Sequence, residues 1–369
     1  MVGEEFFHIA DAIHRGQLSG DGHYTKLCER WLEEKTGGEK ALLTHSCTAA
    51  LEMAAILCDL GPGDEVIMPS FTFVSTANAV VLRGATPVFV DIDPSTLNLC
   101  PDKTKSAITD KTKAIYVVHY AGAVADMDRF KTLADEHDLY IVEDAAQALG
   151  SSYKNQQAGS IGDLAAFSFH ETKNVISGEG GALIINNPKM IERAEVIREK
   201  GTNRSQFFRG QVDKYTWVDL GSSFLPGELI AAFLYAQLLK EDNIFARRLD
   251  MWQAYDEALR PLSAKFGFKC PDPVPDTVHN GHMYYLQLPD LASRQAFIAS
   301  MKAKLIYTPF HYVPLHSAPA GQRYGSTPAS MAVTDKVSDT LVRLPIFYSL
   351  DEQDRVIAAV KETVEEILI

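Results

Sequence analysis

The sequence predicts an α/β protein with a mostly parallel seven-stranded sheet, helices on both faces of that sheet, and a small α+β region after it. Between about residues 40 and 190, short and nearly continuous apolar runs alternate with segments of helical period. That alternation is typical of buried parallel strands joined by helices. The proline-rich segment 270–275 then marks a boundary. We therefore expect a large domain at residues 1–255 and a small α+β domain at residues 256–369.

Seven apolar runs are expected to form the main sheet, namely residues 41–44, 65–69, 87–91, 114–119, 140–143, 165–169 and 182–185. Helical patterns lie between several of them, at residues 48–60, 75–83 and 127–137. The last two runs lie too close together for a full helix between them. We therefore expect an irregular or antiparallel connection at that point.

The later part of the chain carries a long helical pattern from residue 227 to about residue 259. Beyond the prolines, shorter patterns of both kinds follow one another. We predict strands at residues 282–288 and 308–312, and helices at residues 291–302 and 351–369.

Composition excludes several classes of partner. The 369 residues contain 35 Lys and Arg against 48 Asp and Glu, which gives a formal net charge of −13. Nucleic acids and anionic membrane surfaces attract basic proteins, so we expect neither as a partner. An anionic small molecule is not excluded, because backbone N–H groups and a few arginines can build a local site.

Cysteine usage and the N-terminal residues point to the cytoplasm. The five cysteines are scattered, no Cys-x-x-Cys occurs, and no histidine pair has zinc-site spacing, so we expect reduced thiols and no metal. The first residues lack the basic start and apolar run of a signal peptide. No apolar stretch approaches the ~20 residues that a membrane-spanning helix needs.

Polar residues follow several predicted strands, where ligands bind in open α/β sheets. Asp144 ends one strand, Lys173 follows Ser168 after another, and residues 46–50 open a helix. Taken singly, these are consistent with a helix cap, a surface lysine and an N-cap. Together they fit pyridoxal phosphate, which needs a lysine for a Schiff base and an acid for its ring nitrogen. It also needs a helix N-terminus for its phosphate and a flat side chain such as Phe73 against its ring.

Three ordered strings carry a family resemblance: SCTAAL at residues 46–51, VEDAAQ at residues 142–147 and FSFHETKN at residues 167–174. They resemble the DegT/DnrJ/EryC1/StrS family of sugar aminotransferases. The resemblance covers the chain from about residue 18 onward. It implies a pyridoxal-phosphate enzyme with the aspartate aminotransferase fold, known as fold type I.

The resemblance also implies roles for individual residues. Lys173 would form the Schiff base with the cofactor and then shuttle a proton between donor and cofactor. Asp144 would pair with the pyridinium nitrogen, and Gln147 would reach the phenolic oxygen. Phe73 would stack on the ring. The phosphate would be bound by Cys47, Thr48 and Ser168.

A residue of a second subunit completes the phosphate site in this family, usually an Asn in a Gly-x-Asn motif. Here Gly221-Ser222-Ser223 places Ser223 at that position. The resemblance therefore implies a homodimer with shared active sites.

A narrower resemblance concerns residues 198–217, 220–223 and 310–316. These are similar to transaminases that convert dTDP-4-keto-6-deoxy-D-glucose and L-glutamate to dTDP-4-amino-4,6-dideoxy-D-galactose and 2-oxoglutarate. The product is used in lipopolysaccharide and other surface-polysaccharide biosynthesis. The similarity implies that Arg204 and Arg209 bind pyrophosphate or the glutamate carboxylate. It places Tyr312 and His316 in the sugar pocket.

Other functions stay open at this point. A related enzyme could act on a 3-keto sugar or form the 4-amino-glucose epimer, and the core motifs exclude neither. The resemblance implies that a sugar dehydratase of this fold would carry a histidine in place of Lys173, which is intact. In a non-catalytic binding protein we would expect a different residue at Lys173, Asp144 or Gln147, and all three are present.

Overall fold

A computed structural model describes residues 1–368 of the chain and contains three sheets. All seven strands predicted for the main sheet are confirmed, with ends that differ by at most two residues. The strands are β1 (Lys40–Thr44), β2 (Glu65–Pro69), β3 (Thr86–Val90), β4 (Thr112–Val118), β5 (Tyr140–Asp144), β6 (Ser152–Tyr153), β7 (Gln156–Gln157), β8 (Leu164–Ser168), β9 (Gly181–Ile185), β10 (Thr277–Val278), β11 (Tyr284–Gln287) and β12 (Leu341–Leu344).

Helices connect and cover these strands. They are α1 (Glu5–Arg15), α2 (His23–Thr36), α3 (Cys47–Leu57), α4 (Val74–Val81), α5 (Pro101–Ala107), α6 (Met127–His137), α7 (Ile191–Arg198), α8 (Arg204–Phe208), α9 (Glu228–Leu238), α10 (Glu241–Phe266), α11 (Leu291–Ala303), α12 (Pro319–Tyr324), α13 (Ala332–Thr340) and α14 (Gln353–Ile367). The helix predicted at residues 351–369 corresponds to α14, and residue 369 lies outside the described residues.

The main sheet has the order β1-β9-β8-β5-β4-β2-β3. Strand β9 runs antiparallel to both of its neighbours, and the other pairs are parallel. The predicted antiparallel connection between the last two strands is thus confirmed. The parallel strands bring their carboxyl ends to one edge of the sheet, which is where Asp144 and Ser168 lie.

Alternating side chains of each strand enter two hydrophobic cores. In β8, Ala165 and Phe167 face one core, while Leu164 and Ala166 face the other. Successive side chains of a strand point to opposite faces of the sheet, and both faces are buried here. The strands are therefore apolar at successive positions.

The single helix predicted for residues 227–259 is wrong, because the structure has α9 and α10 with a break at Leu239 and Lys240. Helix α9 packs on α1, α2 and the core of the main sheet. The later turns of α10 bury Tyr255 and Leu259 in a third core, formed with α11, α14 and β12. One straight helix cannot pack against both of these cores. No glycine or proline in the sequence marks the break. The proposed domain boundary after residue 255 falls within α10 and stays a prediction.

The strand predicted at residues 308–312 is also wrong. Strand β11 pairs instead with β12, and only Phe310 forms an isolated bridge, to Val342. Pro309 has no N–H to donate, although its carbonyl accepts a 2.9 Å bond from the Arg343 amide. The segment is therefore a loop beside β12.

Candidate active site

A cleft of about 560 Å³ opens at the edge of the sheet where the parallel strands end. The loop after β8 and the C-terminal region complete its walls. Of the residues predicted from the sequence, the structure brings together eight in this cleft: Cys47, Thr48, Phe73, Asp144, Gln147, Ser168, Lys173 and Tyr312.

The N-terminus of the eleven-residue helix α3 forms one end of the cleft. Ser46 caps the helix, because its Oγ accepts a 3.1 Å bond from the Ala49 amide. Among the described residues, the amides of Cys47 and Thr48 have no hydrogen-bond acceptor. A Cβ at Gly181 would collide with the backbone of Ser46 and Cys47, so this turn packs directly on β9. Free amides at a positive helix end suit a phosphate group.

Asp144 is held rigidly at the end of β5. Its Oδ2 accepts a 2.7 Å bond from the hydroxyl of Thr76, and its Oδ1 accepts a 3.2 Å bond from the Ala146 amide. Both Asp144 and Thr76 are buried. A fixed, buried carboxylate of this kind can pair with a protonated ring nitrogen. Sequence reasoning missed Thr76, which lies on α4, 68 residues before its partner.

Lys173 lies in the loop between β8 and β9. Burial lowers the pKa of its amine below the ordinary lysine value, although Cys47 and Asp144 partly oppose that effect. Within residues 1–368, no carboxylate lies within 4 Å of its Nζ. An amine that deprotonates readily and has no ion-pair partner is suited to a Schiff base and to proton transfer.

Gln147 and Phe73 lie on other walls of the cleft. The Gln147 Oε1 accepts a 2.7 Å bond from the Ala121 amide, and its Nε2 donates to the Tyr312 hydroxyl. Burial raises the pKa of Tyr312, so its hydroxyl stays protonated. The Phe73 side chain is 58% exposed, which leaves its ring free for a partner.

Two buried histidines in the cleft were not predicted. The His282 Nδ1 lies 2.8 Å from the Asn174 Oδ1, and the His311 Nδ1 lies 3.1 Å from the Tyr120 hydroxyl. Burial, with nearby cations, lowers the pKa of both rings, that of His311 to about 2. Both imidazoles are therefore neutral. No local pattern could reveal them, since each partner is more than 100 residues away.

Arg204 and Arg209 lie outside the cleft of their own chain. The Arg204 guanidinium lies 3.7 Å from Glu199 and 5.1 Å from the ring centre of Phe208. The Arg209 guanidinium forms a 2.8 Å ion pair with Glu195. Their predicted contacts with substrate stay predictions.

Ser223 and His316 also lie away from that cleft. Ser223 is exposed, and its backbone forms a bridge to Glu199. The His316 ring lies between Ser70 and Asp335, at 2.8 Å and 3.3 Å. Their predicted roles in phosphate and sugar binding stay predictions.

Two further features are absent from residues 1–368. No group of three or more His, Cys, Asp or Glu side chains could hold a metal ion. No helix in the same range has the length and hydropathy needed to cross a membrane.

Comparisons with known proteins agree with this geometry. A family model described as the DegT/DnrJ/EryC1/StrS aminotransferase family matches residues 1–361. The spore coat polysaccharide biosynthesis protein SpsC of Bacillus subtilis is 34% identical over 375 residues, which cover 98% of this chain and 95% of SpsC. The structure of S. venezuelae DesV is 32% identical, with a TM-score of 0.89 over 98% of this chain and 94% of DesV.

A further solved relative bears on the cofactor. Spr1654 of Streptococcus pneumoniae is 28% identical, with a TM-score of 0.90 over 99% of this chain and 97% of its own. Its structures include a form with pyridoxal phosphate and a form with pyridoxamine phosphate. The cofactor predicted from the sequence is confirmed. The chain belongs to the DegT/DnrJ/EryC1/StrS aminotransferase family and is a pyridoxal-phosphate-dependent sugar aminotransferase.

Proposed function

We propose that the protein converts dTDP-4-keto-6-deoxy-D-glucose and L-glutamate to dTDP-4-amino-4,6-dideoxy-D-galactose and 2-oxoglutarate. The enzyme would act as a cytoplasmic homodimer in surface-polysaccharide biosynthesis. The observation that supports amino transfer is that Lys173, Asp144 and the N-terminus of α3 line the same cleft. The choice of sugar rests on the sequence of residues 198–217. The similarity to SpsC, named for spore coat polysaccharide biosynthesis, supports a polysaccharide pathway.

The first set of residues would hold the cofactor, which supplies an electron sink once its ring nitrogen is protonated. Asp144 would keep that nitrogen protonated, because Thr76 and the Ala146 amide fix the position of its carboxylate. The amides of Cys47 and Thr48, with the Ser168 hydroxyl, would bind the phosphate. The Gln147 amide would meet the phenolic oxygen, and Phe73 would cover one ring face.

Lys173 would move the proton. Its amine, released when the donor binds, would take the proton from the donor's Cα and deliver it to the cofactor carbon that accepts the amino group. The same amine would reverse this transfer when the keto sugar binds. Burial favours the neutral amine that this step requires.

The dimer would place Ser223 at the partner's phosphate site. Ser223 is exposed and lies outside its own cleft. Trp217 and Leu220, in the same segment, are 78% and 49% exposed. Phe73, at the edge of the cleft, is 58% exposed. Large exposed apolar side chains around a site support burial against a second subunit.

The test is a substrate panel. The holoenzyme would be incubated with L-glutamate and dTDP-, UDP- and GDP-linked 4-keto and 3-keto sugars, and the product's structure determined by NMR. We expect amination of dTDP-4-keto-6-deoxy-D-glucose with an axial C4 amine. An equatorial amine would favour the 4-amino-glucose epimer. A strong preference for a 3-keto sugar would contradict the proposal, and loss of water from the sugar without amination would indicate a dehydratase.

A further inference from the structure

The loop that carries Lys173 comprises residues 169–180, between β8 and β9. Its backbone hydrogen bonds close the loop on itself, as in the 2.9 Å bond from the Glu171 amide to the Gly178 carbonyl. Among residues 1–368, the side chain of Asn174 makes the only hydrogen bonds from this loop to a segment remote in sequence. The residue next to Lys173 is therefore the point at which the loop is attached to the rest of the protein.

Asn174 has two partners in the segment before β11. Its Nδ2 donates a 3.0 Å bond to the Asn280 carbonyl, and its Oδ1 lies 2.8 Å from the His282 Nδ1. All three residues are buried. The Asn280 Nδ2 in turn donates 2.9 Å bonds to the carbonyls of Gln147 and Leu149. These contacts join the lysine loop to the segment after β5, on the opposite side of the cleft.

The same contacts fix the position of the proton on the His282 ring. The Asn280 carbonyl can only accept, so the Asn174 atom that faces it is the amide nitrogen, and the atom that faces His282 is an acceptor. Burial, with nearby charges that include Lys173, lowers the pKa of the ring, which is therefore neutral and carries one proton. That proton lies on Nδ1, and Nε2 carries none. The ring can thus lie at the cleft without adding a positive charge beside Lys173.

We propose that His282 is a positioning residue, which holds Lys173 in place for proton transfer through its hydrogen bond to Asn174. This inference rests on the proposed role of Lys173 and is independent of the choice of sugar. The Lys173 amine has to reach both the donor's Cα and the cofactor, so its location is critical. A displacement of about 1 Å in an active site can cost ~10²-fold in rate. Loss of the His282 contact would release the loop at the residue adjacent to the lysine.

The first test compares two substitutions of His282. Asparagine places its side-chain nitrogen close to the position of the imidazole Nδ1, so His282→Asn can keep the bond to Asn174 while it removes Nε2. His282→Leu fills a similar volume without a donor. Each holoenzyme is mixed with L-glutamate under single-turnover conditions, and loss of the cofactor's visible absorbance is followed at increasing glutamate concentration.

The two substitutions should differ in the maximal rate of this half-reaction. For His282→Leu we expect a ~10²-fold lower maximal rate, with an apparent dissociation constant for glutamate within about threefold of wild type. His282→Asn should recover most of the rate. A residue that bound the donor directly would instead change the dissociation constant.

Two measurements on the apoenzyme do not depend on catalysis. Hydrogen exchange followed by mass spectrometry should be ~10-fold faster in residues 170–178 of His282→Leu, because one buried hydrogen bond is lost, and unchanged there in His282→Asn. NMR of wild type with isotopically labelled histidine should show a protonated Nδ1 and a bare Nε2 from about pH 6 to about pH 8. The His282 resonances are those that disappear in His282→Asn. A proton on Nε2 alone would overturn the inference.

Asn174→Ala tests the same contact from its other side. It should lower the same maximal rate, and the double variant with His282→Leu should be no slower than Asn174→Ala alone, because both substitutions remove one shared bond. The control is Asn186→Ala. The Asn186 Nδ2 donates to the carbonyls of Gly159 and Gly162, at 3.0 Å and 2.8 Å, and Asn186 does not line the cleft. This variant should keep the wild-type rate and the wild-type exchange in the lysine loop.

Three kinetic results would overturn the inference. The first is an unchanged maximal rate in His282→Leu, and the second is a loss confined to glutamate binding. The third is an equal loss in His282→Asn and His282→Leu, which would show that Nε2 and not the bond to Asn174 is used. If the expected pattern appears while dTDP-4-keto-6-deoxy-D-glucose is not aminated, the proposed function fails and the role of His282 stands.

Discussion

The Gln147 Nε2 donates a 3.0 Å hydrogen bond to the Tyr312 hydroxyl, and this contact joins the end of β5 to the loop after residue 308. The Oε1 of the same side-chain amide accepts a hydrogen bond from the Ala121 N–H. The orientation of Gln147 is thus set by the protein itself. A fixed amide costs less free energy to align with a cofactor than one that must be ordered on binding.

Tyr312→Phe should therefore lower stability. Gln147 is 7% exposed, so loss of the hydroxyl leaves a buried donor without a partner, at a cost of about 1–2 kcal/mol in unfolding free energy. Chemical denaturation of the apoenzyme measures this. Tyr348→Phe is the control, because Tyr348 is 37% exposed and its hydroxyl makes no hydrogen bond within residues 1–368. An equal loss in both variants would contradict the role given to the Gln147 contact.

Lys173→Ala should abolish the protein-linked visible absorbance of the holoenzyme and reduce amino transfer by at least ~10³-fold, since both the covalent link and the proton carrier are lost. Exposed Lys302 supplies the control variant, Lys302→Ala, which should keep both properties. A visible band that persists in Lys173→Ala without added amine would show that another residue holds the cofactor.

Thr76→Val tests the support of Asp144. Valine matches the shape of threonine but cannot donate to Oδ2, and a hydrogen bond to a charged group contributes about 1.5–3 kcal/mol. We expect a loss of that size in apoenzyme stability, together with weaker cofactor binding. Thr76→Ser keeps the hydroxyl and should retain most of both. Equal stability and equal cofactor binding in Thr76→Ser and Thr76→Val would show that the Thr76 hydroxyl does not support Asp144.

Glu143 should make stability depend on acid pH. Burial raises the pKa of this carboxyl, but bonds from His119 and the amides of Gly159 and Gly162 outweigh burial, so the net pKa is lowered. A carboxyl whose pKa is lower in the folded state stabilises the fold above the unfolded value of 4.5, and that contribution disappears as pH falls through the folded pKa.

The corresponding variant is Glu143→Gln. It should cost about 1.5–3 kcal/mol near neutral pH, as expected when a hydrogen bond to a charged group is lost. Denaturation curves between pH 3 and pH 7 should show the gap between wild type and variant shrinking below about pH 4.5. A gap that stays constant with pH would rule out the charge as the cause.

Mixed subunits test the shared site. Lys173→Ala lacks the lysine, and Ser223→Asp would place a negative charge beside the partner's phosphate. Each homodimer should have little activity. Unfolding and refolding the two together should restore roughly a quarter of wild-type activity, because half of the dimers are mixed and each has one intact site. No recovery on mixing, with dimers present, would contradict a shared site.

The sequence predicted what depends on local pattern. Strand β2 and helix α6 lie at the predicted residues, because apolar runs and capping signals define them. Asp144 and Lys173 were found because they follow predicted strands. Thr76 and His282 were missed, since a buried threonine in a helix and a buried histidine in a loop acquire meaning only from distant partners. The break between α9 and α10 depends in the same way on packing against separate cores.

The antiparallel strand β9 has a consequence for how the site tolerates change. Gly181 stands opposite Thr44 on one side and Ser168 on the other. One residue therefore sets the spacing between the turn before α3 and the loop that carries Lys173. The loop is closed near its base by the bond from the Phe169 amide to the Gly180 carbonyl, at 2.8 Å. Strand β9 fixes the distance between the two ends of the cleft. A one-residue insertion in this strand would therefore displace Lys173 relative to α3 without removing any functional group.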